Sequence, residues 1–264
     1  MNLNSRYLGA LLIAPFIIFI FLGGVFLKYF IVALSVLGMY EFYKVVKVKK
    51  FNPLSLVGYL LLIMYYAFNN NFEALMYILI FTSLISLCIP VINVKYNFID
   101  VALTIMGFIY VGVFFSFIYL VSCKLGGQFL VWLIFIASWL CDTTAYYTGK
   151  YLGKRKLCPL VSPNKTIAGS IGGLLGSTLS LGLYGYIITA YIPDIKLYHY
   201  FIIGILCGIL CQFGDLVASS IKRYVGVKDY SNLIPGHGGI LDRFDSILFA
   251  GTIIYFYLTF ILGY

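Results

Sequence analysis

Between Ser219 and Asp245 the chain gathers, within 27 positions, four bases (Lys222, Arg223, Lys228, Arg243), three aspartates (Asp229, Asp242, Asp245), His237 and four glycines. Long apolar runs flank the segment on both sides. Ionisable groups are costly to keep beside hydrocarbon, so in such a setting they mark functional positions. Asp215 closes the preceding apolar run, and Asp242 and Asp245 stand three apart, which projects both carboxylates from one side of a helix. Hard oxygens of this kind suit Mg²⁺, which takes one or two carboxylates and completes its shell with phosphate and water. Arg forks onto phosphate oxygens while Lys supplies a point charge. Gly236, Gly238 and Gly239 around His237 would let backbone N–H groups approach a phosphate closely. Plainer readings stay open residue by residue. Asp242 can be a helix cap, Asp215 can pair with Lys222 or Arg223, and a Lys-Arg pair at a span end can be a topology anchor. A polyphosphate, a metal and an apolar substrate together account for the whole set.

A second polar block lies upstream. One apolar run ends in Ser138-Trp139-Leu140-Cys141-Asp142-Thr143-Thr144-Ala145-Tyr146, which sets a carboxylate and hydroxyls at the end of a membrane helix. A basic loop over residues 149–166 follows, with Lys150, Lys154, Arg155, Lys156 and Lys165. The next run opens Ala168-Gly169-Ser170-Ile171-Gly172-Gly173, small residues that let helices approach closely, so that a packing face is as good a reading as a catalytic one.

What must position these groups is a membrane. The chain is 62% hydrophobic and 10% charged, with a mean hydropathy of +1.00, far from the roughly one-quarter charged residues of soluble domains. Crossing a bilayer takes about 20 apolar residues. Nine runs qualify, near 7–23, 25–43, 54–70, 74–93, 100–122, 128–148, 167–192, 197–219 and 246–262. They are too long and continuous for barrel strands. The fold class is therefore all-α, a polytopic integral membrane protein with about nine transmembrane helices. No small-residue cleavage site follows the first run, which reads as a retained helix. A net charge of +9 could suggest nucleic acid, but its placement argues for a bilayer instead. With nine spans, only Lys28, Lys124 and Lys196 of the 18 bases fall on the side opposite the two polar loops. The basic side faces the cytoplasm, which puts the amino terminus and both loops there. The six cysteines form no CxxC pair and read as buried small hydrophobes. Residues 1–95 read as a packing and dimerisation region, and residues 96–264 as the working region, with cytoplasmic loops at 149–166 and 220–245.

The run Ser219-x2-Lys222-Arg223-x4-Lys228-Asp229-x-Ser231-x2-Ile234-Pro235-x-His237-Gly238-Gly239-x2-Asp242-Arg243-x-Asp245 resembles the signature of the phosphatidate cytidylyltransferases, the CDP-diacylglycerol synthases. Three upstream blocks resemble the family too: Ser138-Trp139-x2-Asp142-Thr143-x-Ala145-Tyr146, Ser162-Pro163-x-Lys165-Thr166 and Gln212-x-Gly214-Asp215-Leu216. The resemblance covers roughly residues 138–246. It implies transfer of a cytidylyl group from CTP to phosphatidic acid at a bacterial cytoplasmic membrane, with Mg²⁺, a potassium-like second cation and a homodimer. Carried onto this chain, it gives Asp215, Asp242 and Asp245 as the metal centre, with Lys222 beside them in catalysis. Asp142, Ser162, Lys165, Thr166, Arg223, Lys228, Asp229, His237 and Arg243 would bind substrate. One position departs from the pattern: the family carries Glu or Gln after Ile167, and here stands Ala168.

The chemistry agrees independently. A phosphate monoester is already anionic at neutral pH, so no strong base is required, and the obstacle is repulsion between two anionic phosphates. Cations lower it, which explains a site rich in Asp, Lys and Arg without a Ser-His-Asp or Cys-His arrangement. Neither the DG-x2-AR run of CDP-alcohol phosphotransferases nor the Asp-rich motif of prenyltransferases occurs. A transporter would place charges at mid-span in paired broken helices, whereas here they collect at one face.

Overall fold

The computed structural model describes residues 16–68, 71–234 and 238–264. Most of the expected run 7–23 therefore lies outside the described residues, although 16–22 are helical. Among the described residues, seven helices are long and apolar enough to cross a membrane: α1 (Gly24–Lys49), α3 (Phe72–Ile92), α4 (Phe98–Ser122), α5 (Gly127–Leu152), α6 (Ile167–Ile188), α7 (Leu197–Val225) and α8 (Leu241–Ile261). The run near 54–70 becomes the shorter α2, Ser55–Ala67. Its 13 residues reach about 20 Å at 1.5 Å per residue, short of a hydrocarbon core of about 30 Å. The fold is thus all-α and polytopic, with one two-stranded antiparallel hairpin among the described residues, β1 (Lys156–Cys158) and β2 (Ser162–Thr166), between α5 and α6.

Chain ends of the helices sort into two layers. Asn52 N donates to Asp100 Oδ1 at 2.5 Å and Leu54 N donates to Thr104 Oγ1 at 2.7 Å, which brings the α1–α2 link to the start of α4. Glu41, near the end of α1, meets Ser231 and the start of α8. The hairpin meets α7 on the way to that end of the bundle, where Lys165 pairs with Asp215, and two turns further along α7 Lys222 pairs with Asp242 at the start of α8. At the opposite end Lys124 Nζ donates to the Tyr264 carbonyl at 2.8 Å. Polar loops and helix ends therefore converge on one layer, as a membrane-surface site requires.

Aromatic side chains fill the interior. Phe42, Tyr65, Phe108, Tyr110, Phe115, Phe117 and Phe135 are fully buried, and α4 widens to a π turn over Phe108–Val113. Large apolar side chains on α3 face outward instead, Val91 and Ile92 at 83% and 85% exposure, so lipid is their solvent. The glycines opening α6 serve close approach. A Cβ at Gly173 would meet Ala145 Cβ at 3.1 Å and Cys141 O at 3.1 Å on α5, which assigns that small-residue stripe to α5–α6 packing.

Candidate active site

A cavity of about 520 Å³ opens where the end of α5, the hairpin, the start of α6 and α7 meet. That volume lies within the range of roughly 300–1,000 Å³ typical of small-molecule sites. Asp142, Ser162, Lys165, Thr166 and Asp215, all singled out from the sequence, line it. Lys150, Lys156 and Gln212 line it as well. Three lysines against two aspartates make a recess for an anion with an acidic wall.

Each wall follows from local sequence. Thr166 caps α6: its Oγ1 accepts from Gly169 N at 3.1 Å, and the side chain is buried. It fits there because Gly153 and Gly149 yield the space; a Cβ on either would meet Thr166 Oγ1 at 2.6 Å and 3.0 Å. Lys165, one residue back, then points inward. Its Nζ pairs with Asp215 Oδ2 at 2.5 Å, both side chains being partly exposed. Gln212 braces α7 against α6, donating Nε2 to Ser170 O at 3.0 Å and Gly208 O at 2.7 Å.

Along α7, Asp215, Ser219 and Lys222 recur at i, i+4 and i+7, a spacing that puts all three on one face. Ser219 Oγ donates to Asp215 Oδ1 at 3.2 Å. Lys222 Nζ reaches Asp242 Oδ1 at 2.6 Å, with side-chain exposures of only 10% and 6%, and lies 5.5 Å from the Tyr230 ring centre. Asp242 Oδ2 accepts from Tyr230 N at 2.8 Å and Gly239 N at 2.9 Å. Burial pushes the Tyr230 phenol well above its usual range, so it stays protonated and donates to Ala218 O at 3.4 Å.

The structure thus separates the three aspartates of the expected metal centre. Asp242 is occupied by an ammonium and two backbone N–H groups, and acts as organiser of the α7–α8 link. Asp245 is buried one turn further along α8, where its Oδ1 accepts from Ser246 N at 2.7 Å. It shares its electrostatic surroundings with Asp215 and Asp142, and Asp142 in turn is influenced by Asp215 and Lys165. Among the described residues no three acids, histidines or cysteines close on one coordination point. Mg²⁺ asks less of a protein: one or two carboxylates, with phosphate and water for the rest. The donor chemistry of Asp142, Asp215 and Asp245, hard carboxylate oxygens of which one or two would suffice, fits that demand.

Several expected binders stand apart from the cavity. Arg223 is exposed and donates Nη1 to Val227 O at 3.2 Å. Lys228 and Asp229 are exposed on the α7–α8 link, and Arg243 is exposed on the first turn of α8. His237 lies outside the described residues. Sequence reasoning passed over Glu41, a buried acid of α1 at 1% exposure that binds the α7–α8 link. A lone acid in an apolar run just before a lysine cluster is the signal that could have found it.

Ala168 sits half-buried in the first turn of α6. An acid there would favour the positive end of the helix by about 0.3–1 kcal/mol. Ala168→Glu is expected to fold normally and to keep or raise turnover. Loss of activity in a well-folded variant, measured on purified protein, would show that this turn has repacked around alanine.

The residues of this site coincide with a wider likeness. The chain matches the model of the "Cytidylyltransferase family" over residues 4–261. The phosphatidate cytidylyltransferase of Bacillus subtilis is 34% identical over 270 residues, which cover 97% of this chain and 98% of that relative. The protein of the same name from Staphylococcus saprophyticus is 43% identical over 156 residues, 59% of this chain. That from the COL strain of Staphylococcus aureus is 42% identical over 158 residues, again 59% of this chain. The chain spans 58% of the length of each staphylococcal relative in these matches. With the family model matching nearly every residue and a relative aligned end to end, this chain belongs to the cytidylyltransferase family.

Proposed function

We propose that this protein joins the cytidylyl group of CTP to phosphatidic acid, forming CDP-diacylglycerol and releasing pyrophosphate. The observation that carries the reading is the lysine-lined cavity, floored by Asp142 and Asp215, at one end of a lipid-facing bundle. A phosphate oxygen of phosphatidic acid attacks the α-phosphorus of CTP, the bond to the β-phosphate oxygen breaks, and pyrophosphate leaves with that electron pair. Lys150, Lys156 and Lys165 surround the triphosphate and lower its repulsion of the incoming lipid phosphate. Lys165 starts on Asp215 at 2.5 Å and can pass to a phosphate oxygen without a long movement. Ser162 and Thr166 hold the hairpin edge of the recess, and Gln212 keeps α6 and α7 at the spacing that shapes it. Asp215 and Asp245, with Asp142 beside them, are the residues that would hold Mg²⁺, which when bound stabilises charge on the departing pyrophosphate. Asp242 and Lys222 act together to fix the entry to α8.

Purified protein with CTP, Mg²⁺ and phosphatidic acid should release pyrophosphate and form a CMP-bearing lipid. Absence of both products in a well-folded preparation overturns the reading. So would equal use of diacylglycerol, which has no phosphate to attack with.

The orientation belongs to the same proposal. The end of the bundle that bears the site also carries nearly all the bases, and basic ends face the cytoplasm, where CTP is supplied. In a background lacking native cysteines, Lys154→Cys and Lys228→Cys should resist an impermeant thiol reagent in intact cells. Asp194→Cys, at the opposite end, should react. Labelling of 154 or 228 without permeabilisation reverses the orientation.

A further inference from the structure

Glu41 stands outside every sequence block that suggested chemistry, yet it makes the longest-range polar contacts with the site region. Its carboxylate accepts from Ser231 Oγ at 2.5 Å and Ile240 N at 2.9 Å on Oε1, and from Leu241 N at 2.9 Å on Oε2. The residue is 1% exposed. A carboxylate is acceptor-only and can take all three donors, whereas an amide cannot. Gly239 completes the fit, since a Cβ there would meet Glu41 Oε1 at 2.6 Å.

This contact has a partner in Asp242. Between them the two carboxylates bind four donors of the link before α8, Tyr230 N, Ser231 Oγ, Gly239 N and Ile240 N, and the N–H of that helix's first residue, Leu241. The first N–H groups of a helix form a natural anion site. At the start of α8 Glu41 takes two of these groups, Ile240 N and Leu241 N. Glu41 thereby ties the α7–α8 link to a helix about 200 residues away in the chain. Asp242 and Asp245 follow within four residues of the contact, so wherever Glu41 holds Leu241, it sets where those two aspartates stand.

We propose that Glu41 is a positioning residue for the acidic site, through which α1 fixes the start of α8 and so places Asp242 and Asp245. The inference rests on the proposed reaction for its kinetic consequence, but the hold on the link does not depend on that reaction. The test compares Glu41→Gln with Asp100→Asn. Asp100 is an equally buried carboxylate at the same end, which accepts from Asn52 N and Asn97 N and bonds to none of the described residues of the link. In Glu41→Gln an amide N–H₂ faces a backbone donor, and the link should loosen. Trypsin cleavage after the exposed Lys228 should speed up, and kcat should fall by about 10–100-fold with KM for CTP little changed, since displacements near 1 Å carry losses of that order. Asp100→Asn should lower the unfolding midpoint at least as much, yet leave kcat and cleavage at 228 near wild type. Should Glu41→Gln fail to insert, Ser231→Ala removes one arm of the contact and should still hasten cleavage at 228. Unchanged cleavage in both variants overturns the proposal, as does a kcat loss in Asp100→Asn equal to that in Glu41→Gln. If the wild type forms no CMP-lipid while Glu41→Gln still frees the link, the reaction is wrong and the positioning stands.

Discussion

Asp215→Asn and Asp245→Asn should each insert and purify normally while turnover falls by about 10²-fold or more, equivalent to roughly 2.7 kcal/mol of lost transition-state stabilisation. Asn keeps the volume and removes the charge that a hard cation needs, so the substitution separates ligation from packing. Asp215 meets the cavity directly, and Asp245 shares its electrostatic environment from α8. The double variant should lose less than the product of the singles, because groups that act as a unit are not additive. Asp242→Asn should also be impaired, by a different route: it weakens the Lys222 pair and the cap on Tyr230 N and Gly239 N. Asp194→Asn, in an exposed turn at the opposite end, should be silent. Turnover and Mg²⁺ titrations on purified variants decide the matter. Near-normal turnover with an unchanged Mg²⁺ requirement in both Asp215→Asn and Asp245→Asn would move the metal elsewhere.

Lys222→Met should be the most destabilising single change in the site region. Lys222 and Asp242 are both nearly enclosed, and removing one partner of a buried pair leaves an uncompensated charge, at about 3–5 kcal/mol. The unfolding midpoint in detergent should drop accordingly. Adding Asp242→Asn to Lys222→Met removes the orphaned charge and should recover much of the stability. Activity should not return, because the link before α8 still lacks its organiser. A midpoint for Lys222→Met equal to wild type would mean that this pair is hydrated in the working protein.

Hydropathy alone located the helices, because a run of about 20 apolar residues has few other uses. It overextended α2, where Pro53 and Asn71 frame a helix of 13 residues inside a longer apolar run. The acidic and basic blocks were legible by type, but their pairings were not. Asp242 and Asp245 are three apart, a turn and direction that leaves them ~60° apart around a helix. One of them looks back to the link and the other into the bundle. No spacing rule distinguishes those outcomes, since the donors that claim Asp242 lie in irregular chain. Lys165 against Asp215 and Asp142 near Asp245 depend on how four helices pack. Glu41 was the least visible, because its partners lie 190–200 residues further along.

That separation also sets an order of events during synthesis. Glu41 enters the membrane boundary in α1, while its three donors belong to residues 231–241. At about 5–20 residues per second, translation takes roughly 10–40 s to supply them. For that interval the nascent chain carries a carboxylate without its native donors, although α1 already packs on α4, where the Tyr43 hydroxyl donates to Thr104 O at 2.8 Å. The contact between α1 and α8 therefore closes late, once the start of α8 has been made. A chain truncated after Val225 should accordingly insert its helices yet be cleaved faster by trypsin at the lysines that end α1, beside the unoccupied Glu41. Restoring residues through the first turns of α8 should confer protection in one step.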